Sequence, residues 1–138
     1  VEDTTVPTPS GSRAARIYTP LLTNGQNEGA LPILVFVHGG GWTIGSIAGY
    51  DSSARALANA AQCIVASVSY RYAPENPFPA AHEDVYHAFQ YIAQNAARFG
   101  GDPKRVAIGG ESAGGNLSEG VCLMARDRKA KMPVHQLL

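Results

Sequence analysis

The chain has 138 residues, of which 45% are hydrophobic and 16% are charged, a composition typical of a one-domain globular protein. Eleven basic residues balance eleven acidic ones, which leaves no net field to attract polyanions and argues against nucleic acid as a partner. The longest apolar run, residues 33–37, is far below the roughly 20 residues that cross a bilayer, and no secretory leader opens the chain. We therefore expect a cytoplasmic protein without a membrane span.

The first half of the chain alternates predicted strands and helices. Residues 13–18 alternate enough to form an edge strand, and residues 24–29 have the Gly and Asn content of a turn. Residues 33–37 are a continuous β-branched and aromatic run, which favours a strand buried on both faces of a parallel sheet. An Ala-rich helix over residues 52–61 and a second buried strand over residues 64–68 follow.

The second half continues this alternation. A proline-rich loop leads into a helix with one apolar stripe. Gly100 and Gly101 are expected to end this helix. The stripe consists of Val85, Phe89, Ile92 and Ala96. A short buried strand over residues 106–108 precedes an amphipathic helix that extends to about Arg128, and residues 136–138 have the pattern of a strand that is just beginning. This order predicts an α/β fold, a mainly parallel sheet with helices on both faces, of which residues 1–138 form a part.

The sequence Gly-Glu-Ser-Ala-Gly at residues 110–114 matches G-x-S-x-G, the strained strand-to-helix turn that lifts a serine hydroxyl above a sheet edge. The match is weak by composition alone, but it lies where a buried strand ends and an amphipathic helix begins, as the turn requires. We therefore predict that Ser112 is a nucleophile. The alternative is a serine that caps the following helix and has no chemical role.

A second motif, HGGGW at residues 38–42, directly follows the buried strand 33–37. Successive glycines leave backbone N–H groups open to a substrate carbonyl oxygen, which is how an oxyanion hole is built. The N–H of Ala113 adds a donor at a helix N-terminus, where the helix dipole favours negative charge. The alternative is a flexible turn that needs glycine for positive φ angles.

His38 and Trp42 flank these glycines. A histidine beside a reactive serine suggests a general base. His38 directly follows a strand, however, and we expect its imidazole to fix the glycine loop by hydrogen bonds instead. Trp42 has two equally good interpretations, as the lining of a substrate pocket or as a plug over core residues.

Metal and redox chemistry find no support in the sequence. The two cysteines, Cys63 and Cys122, lack metal-ligand spacing and are too few for a disulfide framework, so we expect both to fill space in a core. The histidines also lack the spacing that zinc requires. They are His38, His82, His87 and His135. We expect no metal.

Three motifs in order, HGGGW at 38–42, YRYAPE at 70–75 and GESAGGN at 110–116, resemble the hormone-sensitive lipase family of esterases. The resemblance extends over essentially the whole chain. It implies an α/β-hydrolase fold and hydrolysis of carboxylic esters without a cofactor. The chain departs from the family pattern at Tyr72, where Leu is common, and at residues 118–120, which interrupt an Ala-rich helix.

Carried over residue by residue, the resemblance makes Ser112 the nucleophile. It assigns the oxyanion donors to the N–H groups of Gly40, Gly41 and Ala113. It also implies structural roles for four charged residues around the YRYAPE motif. Arg71 and Glu75 would hold the loop after its strand, and Glu83 with Asp84 would anchor the next helix.

The acid and base that a serine nucleophile needs are not evident in the chain. On this fold they follow the serine, and only Glu119, Asp127 and His135 do so. Asp127 lies about 22 Å along the helix from Ser112 at 1.5 Å per residue, Glu119 is two turns along it, and His135 is expected at the far end of the sheet. We therefore interpret the chain as a fragment whose acid and histidine come from a missing segment or a second chain.

This interpretation has a cost in stability. The strand at 106–108 would be an unpaired edge of a parallel sheet, and an isolated fragment would be only marginally stable.

The function expected from these residues is hydrolysis of short-chain, small-molecule esters through an acyl-enzyme, with the fragment itself doubtfully active. One alternative is a non-catalytic, receptor-like member of the same fold that binds a small ligand, as plant gibberellin receptors do after loss of the catalytic histidine. A formamide hydrolase and an inert fragment are further alternatives. The oligomeric state is left open.

Overall fold

The protein is described by a computed structural model that covers residues 1–22 and 29–138. Six strands form a single sheet in the order β1-β2-β4-β3-β5-β6. The strands are β1 (Glu2–Val6), β2 (Arg13–Tyr18), β3 (Leu31–Val37), β4 (Ile64–Val68), β5 (Gly101–Gly110) and β6 (Gln136–Leu137). Pairing is parallel from β4 through β3 and β5 to β6, and antiparallel on the side of β1 and β2. The predicted α/β architecture is confirmed.

Three α-helices cover the two faces of this sheet. They are α1 (Asp51–Ala61), α2 (Ala80–Gln94) and α3 (Ala113–Asp127), with short 3-10 turns at Ala48–Tyr50 and Ala96–Phe99. The helices α2 and α3 pack on one face over the larger core, and α1 packs on the other over a smaller one. Within the described ranges, no helix has the length and apolar character needed to cross a membrane.

The strand β3 explains why an uninterrupted apolar run is needed here. Ile33 and Val35 belong to the core beneath α2 and α3, while Leu34 and Phe36 belong to the core beneath α1. Successive side chains of a strand point to opposite faces, so a strand covered on both sides must be apolar at every position. The predicted stripe of α2 is also confirmed, because Val85, Phe89 and Ile92 are fully buried.

One prediction about the strands near the N-terminus was wrong, and one strand there was missed. The strand β2 is not an edge, because β1 pairs outside it through all five of its residues. The strand β1 carries mainly polar side chains, and only Val6 of its five residues is buried, so no apolar pattern announced it. Residues 24–28 of the predicted turn lie outside the described residues.

The strand that leads to Ser112 is longer and better covered than expected. It extends over Gly101–Gly110 and is not an unpaired edge, because Ile108 and Gly109 pair with β6. Val134 also donates its N–H to the Val106 carbonyl at 3.0 Å. The short, exposed β6 is the outer strand of the described sheet.

The register of the central strands sets the position of both sequence motifs. Val37, the last residue of β3, pairs with Gly110, the last residue of β5. Because the two strands are parallel and adjacent, the loops that follow them leave the same edge of the sheet side by side. Ligands of open α/β sheets bind at this carboxyl edge.

Candidate active site

The turn around Ser112 has the strained geometry that its sequence predicts. Ser112 lies between β5 and α3 with φ 55° and ψ −118°, a region that non-glycine residues rarely occupy. A Cβ atom on Gly110 would lie 2.5 Å from the Val37 carbonyl oxygen, and one on Gly114 would lie 2.8 Å from the His38 carbonyl oxygen. Glycine is therefore required on both sides of Ser112.

The capping alternative for Ser112 finds no support in this geometry. In the described structure, the Ser112 side chain makes no capping hydrogen bond to α3, and the residue is exposed. Its backbone carbonyl instead accepts the N–H of Asn116 at 3.1 Å. The hydroxyl is left available above the sheet edge.

The glycine loop needs its glycines for conformation as well as for access. Gly40, Gly41 and Trp42 have φ angles of 122°, 57° and 61°. The Gly40 carbonyl accepts the N–H groups of Thr43 and Ile44 at 3.1 and 3.0 Å, which closes a tight turn. The turn interpretation and the oxyanion interpretation are therefore compatible, because glycine at positions 40 and 41 permits positive φ angles and also leaves the backbone there free of side chains.

The two loops touch each other directly. A Cβ atom on Gly39 would lie 2.8 Å from the Glu111 carbonyl oxygen and 2.8 Å from the Tyr50 hydroxyl. That hydroxyl donates to the Glu111 carboxylate at 2.5 Å. This hydrogen bond, followed by burial, raises the pKa of Tyr50. Sequence reasoning missed the pair, because Tyr50 and Glu111 are distant in the chain and no motif contains both.

The geometry around His38 agrees with the structural role expected for it. The ring is fully buried, its Nδ1 lies 2.7 Å from the Gly39 carbonyl oxygen, and Tyr70 stacks on it with ring centroids 4.6 Å apart. The Tyr72 hydroxyl lies 3.3 Å from Nε2 and donates to the Gly45 carbonyl at 2.8 Å. Burial lowers the pKa of His38.

Tyr72 is one of the two departures from the family pattern, and the structure gives it a contact that Leu lacks. Its hydroxyl joins the end of the glycine loop to the segment after β4. Tyr70 acts in the same region, because its hydroxyl donates to the His38 carbonyl at 3.0 Å. Both tyrosines belong to the YRYAPE motif, but only the packing shows that their hydroxyls bind the backbone at His38 and Gly45.

A buried carboxylate fixes the segment that carries these tyrosines. Asp84, 1% exposed, accepts from the Arg71 backbone N–H at 3.0 Å and from its guanidinium at 2.8 and 3.0 Å. Ser10 adds a hydrogen bond at 2.8 Å. Burial raises the pKa of Asp84, but these hydrogen bonds outweigh it and hold the pKa below its ordinary value.

The structural roles expected for Glu83 and Glu75 have different outcomes. Glu83 anchors α2 as expected, because both of its oxygens accept from Arg128 at the end of α3, at 2.6 and 3.0 Å. The expectation for Glu75 was wrong. It is exposed and has no ion-pair partner in the part of the chain that the structure describes.

A cavity of about 540 Å³ opens beside the two loops. It is lined by Gly41, Trp42, Arg71, Ala73, Asn76, Phe78, Ala81, His82 and Asn116. Trp42 is 41% exposed, which favours the pocket interpretation over a plug in the core. At Asn116 the cavity reaches within one helical turn of Ser112. The wall is therefore a mixture of aromatic, amide and imidazole groups.

The three late acid and base candidates lie away from this cavity wall. Asp127 is the last residue of α3 and pairs with Arg126 at 2.8 Å, and Glu119 lies further along the same helix than Asn116. His135 is exposed, and its carbonyl accepts the Ile108 N–H at 3.1 Å. His135 thus lies just before β6, beside the second half of β5, and not at the far end of the sheet, where it was expected.

Among residues 1–22 and 29–138, no three metal-binding side chains lie together. Cys63 is buried and Cys122 is half-buried against the core, as expected for space-filling residues, and burial raises the pKa of both thiols.

Comparison with known proteins identifies the family. Residues 34–138 match a family model described as alpha/beta hydrolase fold. Over 129 residues the chain is 48% identical to the carboxylic ester hydrolase LipN of Mycobacterium tuberculosis, which covers 93% of this chain and 33% of LipN. Carboxylesterase NlhH from the same organism is 46% identical over 123 residues, 89% of this chain and 37% of NlhH.

A solved structure agrees with these relatives. The hyperthermophilic esterase of Pyrobaculum calidifontis superposes with a TM-score of 0.90 at 41% identity, over 98% of this chain and 42% of that one. The chain thus spans less than half the length of each of these three proteins. It belongs to the α/β-hydrolase family, and its resemblance to the hormone-sensitive lipase esterases is confirmed.

Proposed function

We propose that this chain supplies the nucleophile half of a serine carboxylic ester hydrolase that acts on short-chain esters. The observation that carries the proposal is the position of Ser112. Its hydroxyl stands free at a strained turn, and strand pairing at Val37 and Gly110 holds that turn beside the glycine loop. The esterase names of LipN, NlhH and the Pyrobaculum enzyme support the same reaction class.

In the proposed mechanism, the Ser112 hydroxyl oxygen attacks the ester carbonyl while its proton passes to a histidine base. The N–H groups of Gly40, Gly41 and Ala113 stabilise the negative charge that develops on the carbonyl oxygen. The histidine then gives its proton to the leaving alcohol, and an acyl-enzyme remains on Ser112. Water, deprotonated by the same base, hydrolyses that ester.

The acid and the histidine of this mechanism are proposed to come from a segment outside residues 1–138 or from a second chain. The positions of Glu119, Asp127 and His135 support this proposal, because none of them lines the cavity beside the glycine loop. Residues 1–138 would then form one part of a larger α/β-hydrolase domain and retain little activity on their own.

The test is hydrolysis of 4-nitrophenyl butyrate by the full-length protein. Ser112→Ala should lower kcat by at least about a thousandfold with a native thermal transition, because the attacking oxygen is lost. Ser53→Ala, an exposed serine of α1, is the matched control and should leave kcat unchanged. Mass spectrometry of the quenched wild-type protein should show one butyryl group on Ser112. Activity of Ser112→Ala within tenfold of wild type would overturn the proposal.

A further inference from the structure

A second cavity, of about 440 Å³, adjoins the one beside the glycine loop. Phe78, His82 and Asn116 line both cavities. The first extends from these residues toward Gly41, and the second extends away from the site along α3 toward Leu123. His82 therefore stands between a space that extends to the glycine loop and a space that extends along α3.

The His82 ring is held in this position from two sides. On one side it meets the Phe78 ring edge-on, with centroids 5.2 Å apart and planes at 73°. On the other side it lies against α3 at Gly120, where a Cβ atom would come within 2.7 Å of His82 Cδ2. Glycine is a poor residue for the middle of a helix. Its presence at position 120 is explained by the space that the imidazole occupies.

The ring is suited to a wall that faces an apolar group. Burial lowers the pKa of His82, although Asn116 and Glu83 act in the opposite direction. A neutral imidazole is less costly to place against hydrocarbon than a charged one. Beyond the ring, the second cavity has a mixed lining, in which Pro79, Leu123 and Met124 are apolar. Its charged lining residues are Glu83, Glu119 and Arg128.

We propose that His82, whose ring lies against Gly120, is a specificity-determining residue. It closes the first cavity, the one beside the glycine loop, and so limits the length of the ester's alkyl chain. This inference rests on the proposed function. Chains that end before His82 fit within the first cavity, whereas longer chains would need the space that the ring occupies. Removal of the ring joins the two cavities and opens a path along α3 past Leu123 and Met124.

The test compares kcat/KM for 4-nitrophenyl octanoate and 4-nitrophenyl butyrate in the full-length protein. Octyl acetate and butyl acetate form a second pair, which shows whether the cavity takes the acyl or the alcohol chain. His82→Ala should raise the octyl-to-butyl ratio at least tenfold in one pair. His87→Ala, one turn further along α2 and outside both cavities, is the matched control and should leave both ratios unchanged.

A double variant tests directly whether the His82 ring separates the two cavities. Because a side chain at position 120 points into the space of the His82 ring, His82→Ala with Gly120→Leu should refill it and return the ratio toward wild type. His82→Phe, which keeps a ring without an imidazole, should preserve the wild-type ratio and covers the case in which the double variant does not fold. A ratio in His82→Ala within twofold of wild type in both pairs would overturn the inference.

Failure of the proposed function has a different signature. If the wild-type protein hydrolyses none of the four esters, the affinity of the Ser112→Ala protein for the same esters replaces the kinetic measurement. Addition of His82→Ala should then strengthen binding of the longer member of one pair relative to the shorter by the same factor. Unchanged relative affinities would overturn the inference about His82.

Discussion

The two loops of the candidate site are held by different kinds of contact. The turn around Ser112 is fixed by backbone against backbone, because Gly110 and Gly114 lie directly on the carbonyl groups at the end of β3. The glycine loop has comparable backbone contacts at Gly39 and Gly40, but it is held by side chains as well. These are His38, Tyr70 and Tyr72. Both loops exclude an added Cβ atom, but the glycine loop also has side-chain hydrogen bonds that can be weakened one at a time.

The largest effect is expected from Gly114→Ala. The new methyl group would collide with the Val37 and His38 carbonyl groups, which the strand pairing prevents from moving. We expect a loss of about 3 kcal/mol in the free energy of unfolding, at the upper end of overpacking costs. Urea denaturation of the full-length protein measures it. Gly29→Ala, where a Cβ atom meets nothing within 4 Å, is the control, and equal stability of the two variants would contradict the steric account.

An intermediate effect is expected from Asp84→Asn, which weakens the anchor of the segment that carries Tyr70 and Tyr72. Loss of the charge-assisted hydrogen bonds from Arg71 should cost about 2 kcal/mol at pH 7. Because the pKa of Asp84 is lower in the folded protein than its ordinary 3.8, its contribution is complete above that value. The contribution is lost as the pH falls through the folded pKa.

The measurement is the free energy of unfolding of wild type and Asp84→Asn between about pH 7 and pH 3. The difference between the two proteins should shrink at the acid end. Asp127→Asn, an exposed carboxylate at the end of α3, should show little difference from wild type at neutral pH. A difference for Asp84→Asn that is constant over the whole range would contradict the assignment.

The smallest effect is expected at the contact that joins the two loops. Tyr50→Phe and Glu111→Gln each weaken one short, largely exposed hydrogen bond, so stability should change by less than about 1 kcal/mol. We expect kcat to fall about threefold in each variant and no further in the double variant, because both changes remove the same contact. Glu111→Gln should also lower the pKa of Tyr50, measured by absorbance titration, toward its ordinary 10.0. Additive losses in the double variant would show that the pair does not act as a unit.

The sequence was sufficient for features that a short stretch of chain encodes. The alternation of helices and strands, the burial of β3 and the strained turn at Ser112 each follow from local periodicity or from glycine spacing. The strand β1 was missed because its polar residues carry no burial signal, and that omission made β2 look like an edge.

Contacts between distant residues escaped sequence reasoning for a different reason. Tyr50 meets Glu111 only because two loops leave the same edge of the sheet, and His82 meets Gly120 only because α2 packs on α3. Neither pair has a periodic relation, and each member alone has an ordinary local explanation. Gly120 was noted as a departure from the family pattern, but its purpose became evident only once α2 lay against α3.

The pairing of Val37 with Gly110 also has a consequence for the folding of the protein. Neither strand alone can place a serine hydroxyl next to open N–H groups, because the two loops belong to parts of the chain far apart in sequence. The proposed site therefore needs a long-range contact between β3 and β5, and contacts of this kind form more slowly than local helices. We therefore expect a chain in which β3 and β5 have not yet paired to lack the reactivity proposed for Ser112.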